Sequence, residues 1–507
     1  MKKILVSLLM LCALSINAQK SIVTVADKIG ASYHYITSLN GTGDEHYALF
    51  GNILMNSFTM TSKDVLVVMS KTGATGRKIE VNHHSDYSLL TAYEGLEHIY
   101  CLYSMYKNSD KIYSLCVNAI PKNAQKGSWN PKQLVSFLME RRDDVLVGTA
   151  VSPNQSKAAV LLFQTKTAGF FQSDKTDKLK AAALLTFGEE GLIWSNDLEL
   201  NVENSTIGAL DIIMSNDASV YVALTSFEQV GDSRRNQTLH VFEINQNEQR
   251  EVSERPDFGY VSMGKLLLTN SGNLVMGGYY SANSTKNDEG AYMMVFDISS
   301  LSLENTSSQK FSERYFEYKS PKYSQSAGDY AVYPMELLEF SNGKLALLGE
   351  PRAQTYVFTS TYTLTGNVLV NFADAQGNIQ DFQMIEKSQA AMTGYRSTSK
   401  LQAAMCSYFA PMRNDEIQVL FTDNSENYSG KSGKMMEVNA GSYYDKKCAA
   451  YCVINQNGDI SAPAQLMNYK SNKAAMYIPL FIDEDGLWMY HFSGGMFLNV
   501  SKFLHQF

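Results

Sequence analysis

Lys265-Leu266-Leu267-Leu268, Thr269-Asn270-Ser271-Gly272-Asn273, Leu274-Val275-Met276-Gly277-Gly278-Tyr279: this stretch decides the fold. A short apolar run meets a tight polar turn and a second apolar run follows. Runs of this length bounded by turn residues read as strands, and Ser-Gly supplies the positive-φ residue that a tight hairpin needs. The same plan returns at Leu337 to Phe340, turn Ser341-Asn342-Gly343-Lys344, then Leu345 to Leu348. Weaker copies centre on turns at Asn216-Asp217, Arg141 to Asp144, Arg413 to Glu416, Asp483 to Gly486, Glu94-Gly95 and Ser62 to Asp64.

A third strand follows most copies: Leu239 to Asn245, Met293 to Ile298, Val368 to Phe372 and Ala450 to Asn455. A more polar fourth strand runs outward, as at Leu301 to Glu304. Three to four antiparallel strands per repeat is the sheet of one propeller blade. The chain resembles a secreted bacterial β-propeller protein of no named repeat family. The resemblance implies an all-β fold, a single β-propeller of seven or eight blades built from three- to four-stranded antiparallel sheets. The competing architecture is a pair of tandem β-sandwiches. The last repeat stops after three strands, so Ser21 to Ala26 would complete it and remove the exposed edges. Asp177 to Leu185 is the best helix candidate.

The first eighteen residues read as an export leader. Lys2 and Lys3 precede the apolar run Ile4 to Leu14, and small Ala18 stands before Gln19. That is the pattern of a secretory signal peptide, residues 1–18, leaving 19–507 as the propeller domain. Cys12 lacks the small neighbour that a lipoprotein anchor wants, since Leu11 stands there. The expected location is therefore the periplasm or the extracellular space. No later run is long and apolar enough to span a bilayer.

Composition narrows the function. Net charge is −8, and 19% of residues are charged against 45% hydrophobic. An acidic chain without a Lys/Arg block argues against nucleic acid. Tyrosine is abundant, 30 against 3 Trp. Its hydroxyl suits surfaces that are part apolar and part wet. Tyr315, Tyr318, Tyr323, Tyr330, Tyr443 and Tyr444 cluster in or beside the long stretches Gln309 to Asp329 and Asn424 to Lys447, and are the candidate ligand-binding residues. Two further long stretches are Phe227 to Gln237 and Ser281 to Gly290.

Reactive motifs are absent. Asp483-Glu484-Asp485-Gly486-Leu487-Trp488 partly resembles the Asp-box turn of sialidase-like propellers, but the serine is missing and Trp488 comes one residue early. His83-His84 would point to opposite faces of a strand. Thr422 to Asn427 offers oxygen ligands without the glycine of a calcium loop. Asp143-Asp144 and Glu189-Glu190 are paired acids of the kind glycosidases use only across a cleft. No cofactor or metal is expected. Cys101 and Cys116 fall nearly opposite in a hairpin and are a candidate disulfide in an oxidising compartment. These features favour a secreted binding or scaffolding protein whose partner is a glycan or an extracellular or envelope protein. The alternatives are a carbohydrate-active enzyme with acids at the propeller channel, and a subunit of a cell-surface assembly.

Overall fold

A computed structural model describes the chain except residues 1–20, 27–32, 40, 42, 53–60, 72–75, 139–144, 167–177, 190, 199–204, 231–232, 283–287, 312–326, 358–359, 393–406, 432, 439–445, 469–473, 484–485, 494–496 and 505–507. It is an all-β propeller arrangement of small antiparallel sheets, not a pair of sandwiches. The described strands form seven hydrogen-bonded sheets, one of them eight-stranded. That large sheet is two meanders joined only at Lys178 and Thr206.

The units follow in chain order. Unit 1 is Tyr33–Leu39, Glu45–Asn52, Thr61–Ser70 and Gly76–His84. Unit 2 is Tyr87–Glu94, His98–Lys107, Ile112–Pro121 and Lys132–Leu138. Unit 3 is Val145–Val151, Ala158–Lys166, Lys178–Gly188 and Gly191–Asp197. Unit 4 is Ser205–Met214, Val220–Val230, Ser233–Ile244 and Gln249–Glu254. Unit 5 is Tyr260–Leu268, Asn273–Ser281, Asp288–Asp297 and Ser302–Lys310. Unit 6 is Ala327–Glu339, Leu345–Val357, Val368–Ala373 and Ile379–Ile385. Unit 7 begins with the broken strand Tyr408–Phe409 and Met412–Arg413, then Glu416–Asn424, Lys447–Asn455 and Ala464–Asn468. Unit 8 is Ala474–Asp483, Gly486–Ser493 and Phe497–Leu504, completed by Ser21–Ala26 as expected, with Ser21 opposite Leu504.

Period-two alternation explains the continuous apolar runs. In Val220–Val230, Val220, Val222 and Leu224 pack toward unit 3. Tyr221 and Ala223 pack toward unit 5. In Leu345–Val357, Leu345 and Leu347 face unit 5 while Ala346 and Leu348 face unit 7. A second strand buried on both faces has no polar side to show. Hydrophobic clusters fill each seam from units 1 and 2 through units 6 and 7. Unit 8 touches unit 7 through Ala474–Asp483 and unit 1 through Ser21–Ala26.

First strands of units 1 to 6 touch in succession and form the inner wall there. Most first strands carry a β-bulge, with register shifts at Tyr35/Thr37, Leu89/Thr91, Ala209/Asp211, Val261/Met263, Pro334/Glu336 and Ala475/Tyr477. A bulge raises twist and re-aims side chains.

Strand alternation puts the turns between strands one and two, and three and four, at one end of the ring. There, units clasp each other through turn amides. Leu96 N donates to Glu189 Oε1 (3.0 Å), Asn154 N to Asn216 Oδ1 (2.9 Å), Asn270 N to Glu339 Oε2 (2.7 Å) and Ser341 N to Asp415 Oδ1 (2.7 Å). The hairpins themselves turn on Gly272 (φ 87°) and Gly343 (φ 81°), which take the left-handed region without strain.

Two sequence expectations are corrected. Asp177 to Leu185 is no helix: Lys178–Gly188 is a strand paired with Ala158–Lys166. Its Ala and Leu favour helix, and pairing on both sides overrides that weak preference. Ser62 to Asp64 is not a turn, because Thr61–Ser70 runs through it and pairs on both edges. The turn expected at Arg141 to Asp144 lies outside the described residues.

Candidate functional site

The inner wall of units 4 to 6 brings three charged residues together. Asp211, Lys265 and Glu336 lie on the first strands Ser205–Met214, Tyr260–Leu268 and Ala327–Glu339. Asp211 and Glu336 each stand immediately after their strand's bulge. The Asp211 carboxylate accepts from Leu266 N (2.9 Å) and lies 3.6 Å from Lys265 Nζ. Burial raises the Asp211 carboxyl above its usual range, against the pull of Lys265. Burial pushes Glu336 up to about 7, with Lys265 opposing and Asp211 adding to the rise. One wall thus holds an acid that keeps its proton near neutrality beside an acid engaged by an ammonium.

A second polar cluster joins units 6 and 7. Lys387 Nζ is fully buried and meets Glu350 Oε2 (2.5 Å) and Gln389 Oε1 (3.0 Å). Arg352 Nη2 holds the other Glu350 oxygen at 2.7 Å. A small extension builds this seam: Ser360–Thr365 pairs with Gln389–Met392, which pairs in parallel with Met436–Val438 from unit 7. Nearby, Asp423 accepts from Tyr428 Oη (2.9 Å) and Asn427 Nδ2 (3.0 Å). A cleft of about 430 Å³ opens beside them, reaching Lys434 and Ser461.

At the short-turn end, a groove of about 740 Å³ lies between units 2 and 3. Leu96 (80% exposed), Leu192 and Ile193 line it and face solvent. Its floor is fixed by Tyr93 Oη donating to Gly188 O (2.9 Å) and by the Glu189 clasp.

Of the tyrosines named from sequence, Tyr330 lies on the first strand of unit 6 opposite Ala353. Tyr315, Tyr318, Tyr323, Tyr443 and Tyr444 lie outside the described residues, as do Asp143-Asp144 and Glu190. The four long stretches leave their strands at the same end of the ring, opposite the short turns. His83 and His84 do diverge. His83 is buried with Nε2 2.9 Å from Asp64 Oδ2, whereas His84 is exposed beside Asp86. Among the described residues, no group of three or more His, Cys, Asp and Glu could hold a metal ion. The oxygens of Thr422 to Asn427 are partly spent on local bonds and on the short helix Ser425–Tyr428.

The Cys101–Cys116 disulfide is not formed. Cys101 pairs with Asn118 and Cys116 with Tyr103, two residues off, and both thiols are free and buried. Diagonal neighbours sit about 7–8 Å apart, beyond disulfide reach. Burial raises both thiols, Cys116 to about 11.

Sequence reading missed Asp211 and Glu336 because each opens an apolar run and looks like a strand boundary. The signal was there: an acid flanked by apolar residues on both sides, Ala209-Leu210-Asp211-Ile212 and Pro334-Met335-Glu336-Leu337.

No protein-family model matches the chain, and no curated protein matches its sequence. Solved structures resemble it in fold. Polysaccharide lyase Uly1 shares 9% identity at TM-score 0.37, over 94% of this chain and 90% of that one. The WD40 domain of SCAP from fission yeast shares 9% at 0.33, over 96% and 98%. The Pyrococcus horikoshii acylaminoacyl peptidase shares 9% at 0.38, over 92% of this chain, which spans 59% of the peptidase. What these chains are similar to is the arrangement of small sheets, and the likeness extends no further.

Proposed function

We propose that this chain is an exported binding or scaffolding protein, an eight-bladed propeller that engages an envelope or extracellular protein through one end of its ring. The observation that carries the reading is the groove between units 2 and 3, where Leu96, Leu192 and Ile193 are exposed together. Neighbouring large apolar side chains held in water mark contact surfaces when they rim a concavity. The blade count rests on splitting the eight-stranded sheet at its single Lys178–Thr206 pairing. Export rests on the leader pattern of residues 1–18 and is tested by fractionating cells for the processed chain.

The binding test compares wild type with L96D/I193D against an extracellular fraction and a glycan array. Partner capture lost in the variant supports the groove. Capture unchanged by the variant, or glycan binding instead, rejects it and moves attention to the long-loop end and its tyrosines.

The inner-wall acids favour a second reading, cleavage of a glycan within the channel. Glycosidic cleavage uses two carboxyls with separated protonation states, and Glu336 near 7 beside Lys265-paired Asp211 has that character. New reducing ends released by wild type and abolished in E336Q would support it. Glycan binding without product would reject it.

A further inference from the structure

Unit 4 carries an arrangement that neither reading uses. Ser226 on Val220–Val230, His240 on Ser233–Ile244 and Glu251 on Gln249–Glu254 cross three adjacent strands. Ser226 Oγ lies 2.8 Å from His240 Nε2. His240 Nδ1 lies 2.8 Å from Glu251 Oε1 and 2.9 Å from Ser253 Oγ. Ser253 Oγ itself donates to Glu251 Oε1 at 2.6 Å. A carboxylate at Nδ1 holds the proton there, so Nε2 is left to accept from the Ser226 hydroxyl. The imidazole is further fixed by stacking on Phe242, 6.2 Å between centroids and 15° between planes. Ser226 and His240 are buried, while the Glu251 side chain is 32% exposed, so the outer strand is the open side.

We propose that Ser226, His240 and Glu251 form a nucleophile–base–acid relay that accepts an acyl group from a small ester. A serine hydroxyl bonded to a base that is itself oriented by a third group is the arrangement that activates oxygen nucleophiles. Ser226 Oγ forms a bond to the acyl carbon and its proton passes to His240 Nε2. The ester C–O bond breaks, and the imidazolium returns that proton to the departing alkoxide. The products are acyl-Ser226 and an alcohol. Water, deprotonated by the same imidazole, then releases the carboxylic acid and restores Ser226. Ser226 and His240 touch the reacting atoms; Glu251 is a positioning residue. The burial restricts the substrate to acyl groups small enough to enter along the outer strand.

The test treats the folded full chain with a fluorophosphonate, whose P–F bond is replaced by an Oγ–P bond with loss of HF. The adduct is then located by peptide mass. The expected result is one equivalent of adduct on Ser226, absent from S226A, with the labelling rate about 100-fold lower or less in H240Q and in E251Q. A network that only ties strands together would shift melting in these variants without any labelling of wild type. Folded wild type that takes no adduct at Ser226 overturns the proposal. So does labelling that continues undiminished in H240Q or, should H240Q not fold, in E251Q on the exposed outer strand.

Discussion

Acids on the short-turn rim and acids inside the ring are shifted in opposite directions, the first by hydrogen bonds and the second by burial. On the rim, Asp297 is held down at about 2 by the hydroxyls of Ser299 and Ser300, and Asp217 is lowered by Ser215. Water and donors surround these carboxylates, so their charge is welcome. Inside, burial lifts Asp288 to about 6 and Glu336 to about 7. Asp288 does accept from Val332 N (2.6 Å) and from Ser262, yet these donors do not offset its desolvation. The rim uses ionised acids to bind turns. The interior carries acids that it ionises at a cost.

The largest expected effect tests the buried charges that the interior does keep. K387M leaves Glu350 fully buried with one fewer partner, and should destabilise the protein by about 3–5 kcal/mol. Chemical denaturation measures it, and a loss near zero would mean that Arg352 alone satisfies Glu350.

Next comes pH. A raised carboxyl contributes stability that is complete below its unfolded value, about 4, and is lost as pH rises through about 6 for Asp288 and 7 for Glu336. His83 acts with the same sign. Burial pulls its imidazole down, but the Asp64 hydrogen bond and charge raise it overall. Its contribution is complete below 6.5 and is lost above it. Rim acids act oppositely, their contribution present above about 4 and lost as pH falls toward 2. Melting temperature should therefore peak in mildly acidic solution. E336Q should stabilise the protein by on the order of 2 kcal/mol at pH 8 and little at pH 4.5. Melts that are flat between these values would refute the buried-acid account.

Smaller effects belong to the rim. E339A removes the acceptor of Asn270 N and should cost about 1 kcal/mol. G343A places a Cβ at φ 81°, 3.2 Å from Ala375 Cβ, and should also cost about 1 kcal/mol. Both are read from denaturant midpoints against an exposed-site control.

The rim was the legible part of the molecule. Ser271-Gly272 and Asn342-Gly343 mark hairpins through backbone chemistry that is local to a few residues. The hairpin of unit 3 turns at Ser152 to Lys157 through side-chain bonds, with Lys157 N donating to Ser152 Oγ at 3.0 Å, and carries no Asn-Gly. Nothing in those residues alone marks it as a hairpin turn. In unit 1, Asp64 looked like a turn residue because its partner His83 is nineteen positions away. The inner-wall acids carry a local signal, an acid between apolar residues, but their meeting was illegible for the same reason. Asp211, Lys265 and Glu336 meet only when three units stand side by side, and single-strand periodicity carries no trace of that meeting.

Ser21–Ala26 pairing with Phe497–Leu504 also sets the order of assembly. Nearly the whole chain lies between these partners, so their pairing bears the longest loop closure in the molecule. Units 2 to 6 can form from contacts between neighbours as they are made, whereas unit 8 must wait until Phe497–Leu504 has been made. Closure is then the slow, late step of folding, and the amides of Ser21–Ala26 should be among the first in the ring to exchange with solvent.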